Sequence, residues 1–432
     1  MRKINLGLIG FGHVGSGVVK ILREKKSFLT DKIGMEVCVR KICDKDLASK
    51  RNVSVDKGLL TRNPYELIHD PQIDIIIELM GGRHPAKEYI MESLKKGKSV
   101  VTANKALLAS DGQELFALAQ EKGKNIYFEA SVAAGIPIIK ALREGLVANR
   151  FNSIFGILNG TSNYILSEMS GRHVTFAQAS TEAKAKGFAE KDPKLDVEGI
   201  DSAHKLLLLV YLCFGRHILL EDVFVEGISR ISLADVEYAA ELGFQIKLLA
   251  IAKKEGDELE VRVHPTLIAS SHLLSSVSGV NNAIYVSSDL AGDLLFCGPG
   301  AGQLSAASAV VADVVDLVQD IKAGLFRPTL TNIVDKSIRR LRRQDEFESS
   351  SYIRFMALDR PGVLAKISGI LAKFGISIAS VTQKARRKTQ VVPIVMVIHE
   401  AKERNLRSAL KMIDRLDVIK QVSVAIRIEE PS

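Results

Sequence analysis

Six residues, Gly10-Phe11-Gly12-His13-Val14-Gly15, constrain this chain more than any others. They follow an apolar run, Ile4 to Ile9, and open a stretch of amphipathic pattern that continues to Lys25. In a strand, glycine turn and helix of this kind, the first glycine permits the turn and the second lets a pyrophosphate approach the backbone. The third lets helix and strand pack closely, and the helix N-terminus favours the phosphate charge. Position after a strand, rather than the pattern alone, predicts a dinucleotide site at Gly10, Phe11, Gly12, His13, Val14 and Gly15. His13 has no partner identifiable from sequence and reads as a loop residue near the cofactor.

The surrounding pattern supports a parallel sheet. Short apolar runs (Ile4 to Ile9, Glu36 to Cys43, Ile73 to Glu78, Ser99 to Thr102, Ile126 to Phe128) alternate with amphipathic ones over residues 1–128. This βαβ rhythm predicts an α/β, doubly wound, Rossmann-type domain. Residues 129–300 combine long helical patterns with strands and predict a mixed α+β domain, assigned to catalysis and dimerisation. A turn at Gly298-Pro299-Gly300-Ala301-Gly302 opens an apolar helix, and a helix over about 301–320 is expected to complete the first domain. Residues 321–350 are charged and read as a linker. Residues 351–432 alternate as βαββαβ, the pattern of a ferredoxin-like sandwich.

With 432 residues and 47% hydrophobic content the chain has material for several cores. No apolar run approaches the ~20 residues that span a bilayer, and the N-terminus enters a strand directly, so a cytoplasmic protein without membrane partners is expected. The four cysteines form no C-x-x-C pair and lie in apolar surroundings, which suits buried thiols rather than disulfides or zinc. The net charge of +9 is spread along the chain. Its two clusters, Arg339 to Arg343 and Lys384 to Lys388, lack interleaved aromatics, so both read as solvated surface and no nucleic-acid partner is expected.

Asp44, at the end of the second strand, is the candidate for the ribose hydroxyls, although it follows Gly15 by more than the usual gap. Arg40, Lys41 and Lys45 lie alongside and offer a cation for a 2′-phosphate, which leaves NAD and NADP both open. In Glu190 to Lys205, Asp201 and Lys205 are four residues apart on one helix face, in the favourable order. A surface pair would look the same, but Leu206 to Val210 is wholly apolar, so the helix is mostly buried and a lysine there is costly. Thr102-Ala103-Asn104-Lys105 falls just past the carboxyl edge of the sheet, where such folds bind ligands; Asn104 also suits a plain helix cap. Asn159-Gly160-Thr161-Ser162-Asn163 is either a carboxylate cradle or a capping turn. Phe128 to Pro137 sets Glu129 among small residues, as a cation loop or a hinge would.

Together these blocks resemble homoserine dehydrogenase over essentially the whole chain. The resemblance is carried by Gly187 to Leu209, Thr102 to Lys105, Glu129 to Pro137 and Gly156 to Tyr164. Leu358-Asp359-Arg360-Pro361-Gly362-Val363-Leu364 is similar to an ACT domain, as in bacterial monofunctional members. The resemblance implies NAD(P)-dependent interconversion of L-homoserine and L-aspartate 4-semialdehyde, on the way to threonine, methionine and isoleucine. It implies Lys205 as acid/base, Lys105 assisting at the same oxygen, and Glu190, Asp201 and Asp196 at the substrate. Gly160, Thr161 and Gly187 would line the substrate side, with Gly302 against the cofactor. Glu129 with the carbonyls of Val132, Ala134 and Ile136 would hold a structural sodium ion. A homo-oligomer, dimer or tetramer, and an amino-acid effector at the ACT domain are also implied. The chain carries Ser377 where many amino-acid sensors have Asn, so the effector is an expectation still to be tested.

Two other classes fit parts of the pattern. A 2-hydroxy-acid dehydrogenase would employ a His with a carboxylate partner, and no His here has that setting. A non-catalytic sensor is disfavoured by the paired lysines and their nearby acids.

Overall fold

The computed structural model describes residues 3–190, 192–328, 335–383 and 390–431. The chain divides into two compact units. One comprises Met1–Arg150, His204–Asp222 and Phe296–Asp335; the other comprises Phe151–Ala203, Val223–Leu295 and Lys336–Ser432.

The first unit is built on a six-stranded sheet of β1 (Lys3–Ile9), β2 (Glu36–Cys43), β3 (Leu60–Thr61), β4 (Ile75–Glu78), β5 (Ser99–Thr102) and β6 (Ile126–Tyr127). Its order is β3-β2-β1-β4-β5-β6, and every pairing is parallel. Strands β4 and β5 are buried at every residue, which is why they read as continuous apolar runs instead of alternating. The order reverses between β1 and β4, so a crevice forms at the carboxyl ends of these strands. Helix Gln303–Ala323 returns to this sheet. Its Ala307, Val310, Val314 and Leu317 share a core with Ile4, Leu6, Val18 and Val19. A Cβ on Gly17 would lie 2.8 Å from Gln303 Cγ and 3.1 Å from Ala307 Cβ, so Gly17 is what lets helix His13–Glu24 seat against Gln303–Ala323. The helix runs into the stretch read as linker and stops where Gly324 adopts φ 65°.

The second unit holds an eleven-stranded sheet. Its strands are β7 (Phe151–Ile157), β8 (Phe224–Val225), β9 (Phe244–Glu255), β10 (Glu258–Ala269), β11 (Asn281–Ser288), β12 (Gly292–Pro299), β13 (Arg340–Leu341), β14 (Glu348–Leu358), β15 (Ile378–Thr382), β16 (Val391–Lys402) and β17 (Ile419–Ile428). The main path is β12-β11-β7-β9-β10-β17-β14-β16-β15, with β8 and β13 also on β10. Strands β14 to β17 with helices Val363–Lys373 and Glu403–Ile413 form the expected βαββαβ sandwich, its core centred on Ile353, Phe355, Ile367, Leu371, Met396 and Ile413. Alternating strands and turns do not reveal how that sandwich attaches. Strand β17 pairs in parallel with β10 at Thr266 and Leu267, so the strands of the sandwich continue the sheet of β7 and β9–β12.

Two features differ from expectation. Residues from Arg339 are fastened rather than free: Arg339 N donates to Asp257 O at 2.6 Å, β13 pairs with β10, and Arg342 reaches Glu255, Glu258 and Glu260 at 2.6, 2.6 and 2.5 Å. The cluster read as solvated surface thus contains a clasp at Arg342, because three acids gathered by β9 and β10 face it, while Arg339 and Arg343 stay exposed. The second basic cluster, Lys384 to Lys388, lies outside the described residues. Among the described residues no helix is long and apolar enough to cross a membrane, and the four cysteines are free thiols.

Candidate functional site

In the first unit the glycine loop is closed on two sides and open on one. Gly10 has φ 99°, and a Cβ there would fall 2.5 Å from the Leu79 carbonyl carbon; a Cβ on Gly15 would fall 2.1 Å from Gly10 O. No side chain fits at either position. At Gly12 a Cβ would meet nothing within 4 Å, and helix His13–Glu24 has no side-chain N-cap, so its first N–H groups face open space. Such an opening leaves room for a phosphate group at the helix N-terminus. His13 is exposed at the helix start, with its carbonyl accepting from Gln303 Nε2 at 2.9 Å, and Val14 is half-buried behind it.

Asp44 sits beside this loop, where its Oδ2 accepts from Phe11 N at 2.5 Å and its Oδ1 from Asp46 N at 2.8 Å. Much of its bonding capacity therefore shapes the loop. Arg40 does not join it: its Nε donates to Asp70 Oδ2 at 2.7 Å, and Lys41 pairs with Glu66 at 2.7 Å. The cation beside the loop is Arg51, which sequence reasoning passed over. Arg51 Nε donates to Phe11 O at 2.8 Å, its guanidinium lies 5.0 Å from the Phe11 ring centroid, and Nη2 is 4.0 Å from Asp44 Oδ1. Its only sequence signal is a basic residue shortly after the second strand.

The carboxyl edge of β4 and β5 holds a buried polar chain. Thr102 Oγ1 donates to Glu78 Oε2 at 2.7 Å and accepts from Asn104 N at 3.0 Å. Burial pushes the Glu78 carboxyl up from its usual value. Asn104 caps helix Lys105–Glu121 through Leu107 N, so the capping alternative is realised, and it places Lys105 first in that helix, half-buried. Glu78 was not anticipated, although an acid ending the run Ile75-Ile76-Ile77 is the signal for it. Lys205 is 8% exposed on helix Ile200–Phe214, with Leu206 to Val210 buried after it.

Glu129 is 5% exposed, and its oxygens accept from Ile139 N and Lys140 N at 2.8 Å each, while Asp313 Oδ2 accepts from Glu129 N at 2.8 Å. Burial, above all, raises Glu129 to about 7. The carboxylate is thus engaged with backbone. Ala133 and Ala134 have φ 53° and 41°, a coiled backbone that redirects successive carbonyls. The Ile136 carbonyl is engaged too, accepting from Ile138 N at 2.8 Å. Gly302, with φ 130°, caps helix Gln303–Ala323 near Ser305.

In the second unit Asn159 gathers the polar loop. Its Nδ2 donates to Asp196 Oδ1 at 2.7 Å and Asp201 Oδ2 at 2.9 Å, and its Oδ1 accepts from Ser162 N at 2.8 Å. Asn159 therefore brings together two expected substrate acids and the Gly160-Thr161 turn while also capping helix Gly160–Arg172, so the capping alternative for this loop is realised. Gly160 is required because a Cβ would lie 2.8 Å from Val280 O. Thr161 Oγ1 donates to Phe188 O at 2.6 Å, which ties the turn to the segment after Gly187, itself at φ 74°. Glu190 follows on that segment and is exposed.

A six-stranded parallel sheet with an open glycine loop at its carboxyl edge is the frame of a nicotinamide-dependent oxidoreductase. The chain matches the models for homoserine dehydrogenase (residues 137–315), the homoserine dehydrogenase NAD binding domain (residues 10–129) and the ACT domain (residues 351–417). It is 41% identical to the homoserine dehydrogenase of Pseudomonas aeruginosa, with all of both chains covered. It is 40% identical to that of Neisseria gonorrhoeae over 99% of each. A solved homoserine dehydrogenase from Thiobacillus denitrificans superposes with a TM-score of 0.91 at 43% identity, covering 100% of this chain and 99% of that one. A hyperthermophilic archaeal homoserine dehydrogenase in complex with NADPH superposes with a TM-score of 0.63 at 28% identity, covering 76% of this chain and 100% of that one. The chain belongs to the homoserine dehydrogenase family.

Proposed function

We propose that the chain interconverts L-homoserine and L-aspartate 4-semialdehyde, with Lys205 exchanging a proton with the C4 oxygen. The observation that carries this reading is a lysine 8% exposed on an apolar helix, one turn after an acid that Asn159 ties to Asp196. Oxidising an alcohol needs a base at the oxygen while hydride leaves the same carbon. The nicotinamide, when bound, accepts or supplies that hydride. Lys105, fixed at the start of its helix by the Asn104 cap, assists at the same oxygen. Asp201 and Glu190 hold the substrate, Asp196 extends their polar wall, and Gly160, Thr161 and Gly187 let backbone approach it.

NADP is the favoured cofactor. Arg51 is the cation beside Asp44, and a guanidinium matches a 2′-phosphate, whereas Arg40 is spent on Asp70. A sodium ion on the carbonyls of Val132, Ala134 and Ile136 would stiffen the loop that leaves β6. The family further supports a cytoplasmic homo-oligomer, at least dimeric, with an amino-acid effector for its C-terminal domain. The test is reduction of L-aspartate 4-semialdehyde with NADPH and NADH in parallel, monitored by loss of nicotinamide absorbance. Turnover with preference for NADPH is expected; absence of turnover with either cofactor defeats the assignment.

A further inference from the structure

Glu78 ends β4 inside the first unit and takes no direct part in the proton exchange assigned to Lys205. It is 0% exposed, in register with Ile9 of β1 on one side and Thr102 of β5 on the other. A carboxyl group buried in this way is destabilising unless its oxygens are satisfied. Both are: Oε1 accepts from Met80 N at 2.8 Å and Oε2 from Thr102 Oγ1 at 2.7 Å. A hydroxyl would satisfy only one of these donors. Two acceptors on one planar group are what join the end of β4 to the end of β5.

Three loops of the carboxyl edge meet at this junction. The first is the glycine turn. Leu79 N donates to Ile9 O at 2.7 Å, and a Cβ on Gly10 would fall 2.7 Å from Met80 N, so the turn rests on the backbone that Glu78 holds. The second is the loop after β4, where Met80 to Arg83 are exposed and Gly81 and Gly82 lie at φ 71° and 75°. Glycines lose the most freedom on ordering. This loop is held by Met80 N on Glu78, by Gly82 O, which accepts from Asn104 Nδ2 at 2.6 Å, and by Arg83, which donates to Asp111 at 2.5 and 2.9 Å. The third is the turn into helix Lys105–Glu121. Thr102 Oγ1, while donating to Glu78, accepts from Asn104 N at 3.0 Å, and Asn104 caps the helix that Lys105 begins.

We propose that Glu78 is a positioning residue for the reaction: through Met80 N and Thr102 it fixes the loop that ends in Lys105 relative to the glycine turn, and so sets the lysine against the bound cofactor. Being fully buried, it acts through the backbone it holds and not by touching a ligand. This rests on the reading of Lys105 as assisting at the substrate oxygen, and deepens it by naming what aligns the lysine. Displacing a reacting group by about 1 Å lowers a rate about 10²-fold. The bond between Leu79 N and Ile9 O is backbone to backbone and persists without the carboxyl group. The signature is therefore expected in the rate of the bound complex and not in cofactor affinity.

Glu78→Gln, Glu78→Ala and Thr102→Val, made in the full chain, test this. Calorimetric titration with NADPH gives the fraction of sites that bind. Single-turnover reduction of L-aspartate 4-semialdehyde by the bound NADPH then gives the rate per occupied site. Glu78→Ala is expected to lower that rate about 10²-fold and the other two about tenfold, with stoichiometry unchanged and NADPH affinity within about threefold. Combining Glu78→Gln with Thr102→Val should be no slower than the slower single change, because both break one chain of hydrogen bonds. A merely structural role would lower stoichiometry and total turnover together and leave the rate per occupied site intact. That result overturns the assignment of Glu78. Thr102→Val keeps the shape of its side chain, so it decides the matter if the Glu78 variants fail to fold. The unaltered chain is the control: turnover there with unimpaired variants defeats this inference alone, whereas no turnover there defeats the catalytic reading and this inference with it.

Discussion

The two sheets bury their polar groups in opposite places. In the parallel sheet the strand interiors are apolar, and the buried polar residues Glu78, Thr102 and Asn104 collect at the carboxyl edge, where ligands bind. In the eleven-stranded sheet they lie inside the seams: Arg262 with Glu429, Arg427 with Glu403, and Arg354 with Asp235. The first sheet is thus a platform held by apolar burial, with its chemistry at the rim. The second is joined to its neighbouring helices, and at Arg262 to the end of β17, by charges that gain little net stability but are costly to leave unpaired.

The contrast breaks hardest at Lys205, which belongs to the first unit. Lys205→Ala should lower kcat about 10⁴-fold, the upper range for a general acid/base, while leaving NADPH binding and the unfolding midpoint nearly unchanged. Steady-state kinetics and cofactor titration check this. A loss confined to cofactor affinity would move the lysine from the chemistry to the binding loop.

The seam prediction comes next. Asp235 is fully buried, accepts from Arg354 Nε at 2.6 Å and Nη2 at 3.0 Å, and closes the capping box of helix Leu233–Glu241 with Ser232. Asp235→Ala should cost about 3–5 kcal/mol in urea unfolding, because Arg354 is left charged and unpaired. The double change Asp235→Leu with Arg354→Met should recover much of that. In the parallel sheet Ile76→Val, equally buried, should cost only about 0.5–1.5 kcal/mol. Similar costs at both sites would remove the distinction between the sheets.

A third measurement sharpens the comparison through pH. Lys247 on β9 is 4% exposed, donates to Val277 O at 2.6 Å, and is brought down by burial to about 8 from 10.5. Between those values the unfolded chain holds the proton that the folded chain has released. Stability from this group therefore rises by about 3 kcal/mol as pH climbs from 8 to 10.5, and is lost again as pH falls back to 8. Lys247→Met should flatten that part of the stability profile; an unchanged slope would show that Lys247 stays charged in the folded protein.

The same contrast explains what could be read in advance. The parallel sheet was legible because burial on both faces writes itself as apolar runs, and because Gly10 and Gly15 occupy positions that no side chain can share. Asp196, Asp201 and the Gly160-Thr161 turn were legible as polar strings interrupting apolar pattern, and Asn159 draws them together. The β10–β17 junction was not, since a parallel pairing between residues so far apart leaves no local period. Arg342 looked like surface charge because sequence shows the sign of a residue but not the acids that folding sets opposite it. Arg51 was hidden for the same reason, and Arg40, nearer to Asp44 in sequence, faces Asp70 instead.

Arg51 provides the smallest effect and the finest test of the rim. Its guanidinium is held over Phe11 by Phe11 O and by the carbonyls of Asp46 and Ser49. A bidentate guanidinium–phosphate contact discriminates by charge, so Arg51→Ala should raise KM for NADPH about tenfold while leaving KM for NADH within about twofold. Arg40→Ala, by contrast, should change neither KM, because its partner Asp70 lies outside the loop. If Arg40→Ala selectively weakens NADPH and Arg51→Ala does not, the cation for the 2′-phosphate is Arg40, and Arg51 serves only to shape the glycine turn. Equal losses with both cofactors in Arg51→Ala would also make it a loop-shaping residue, since distortion of Phe11 and Asp44 harms the part of the site that the two dinucleotides share.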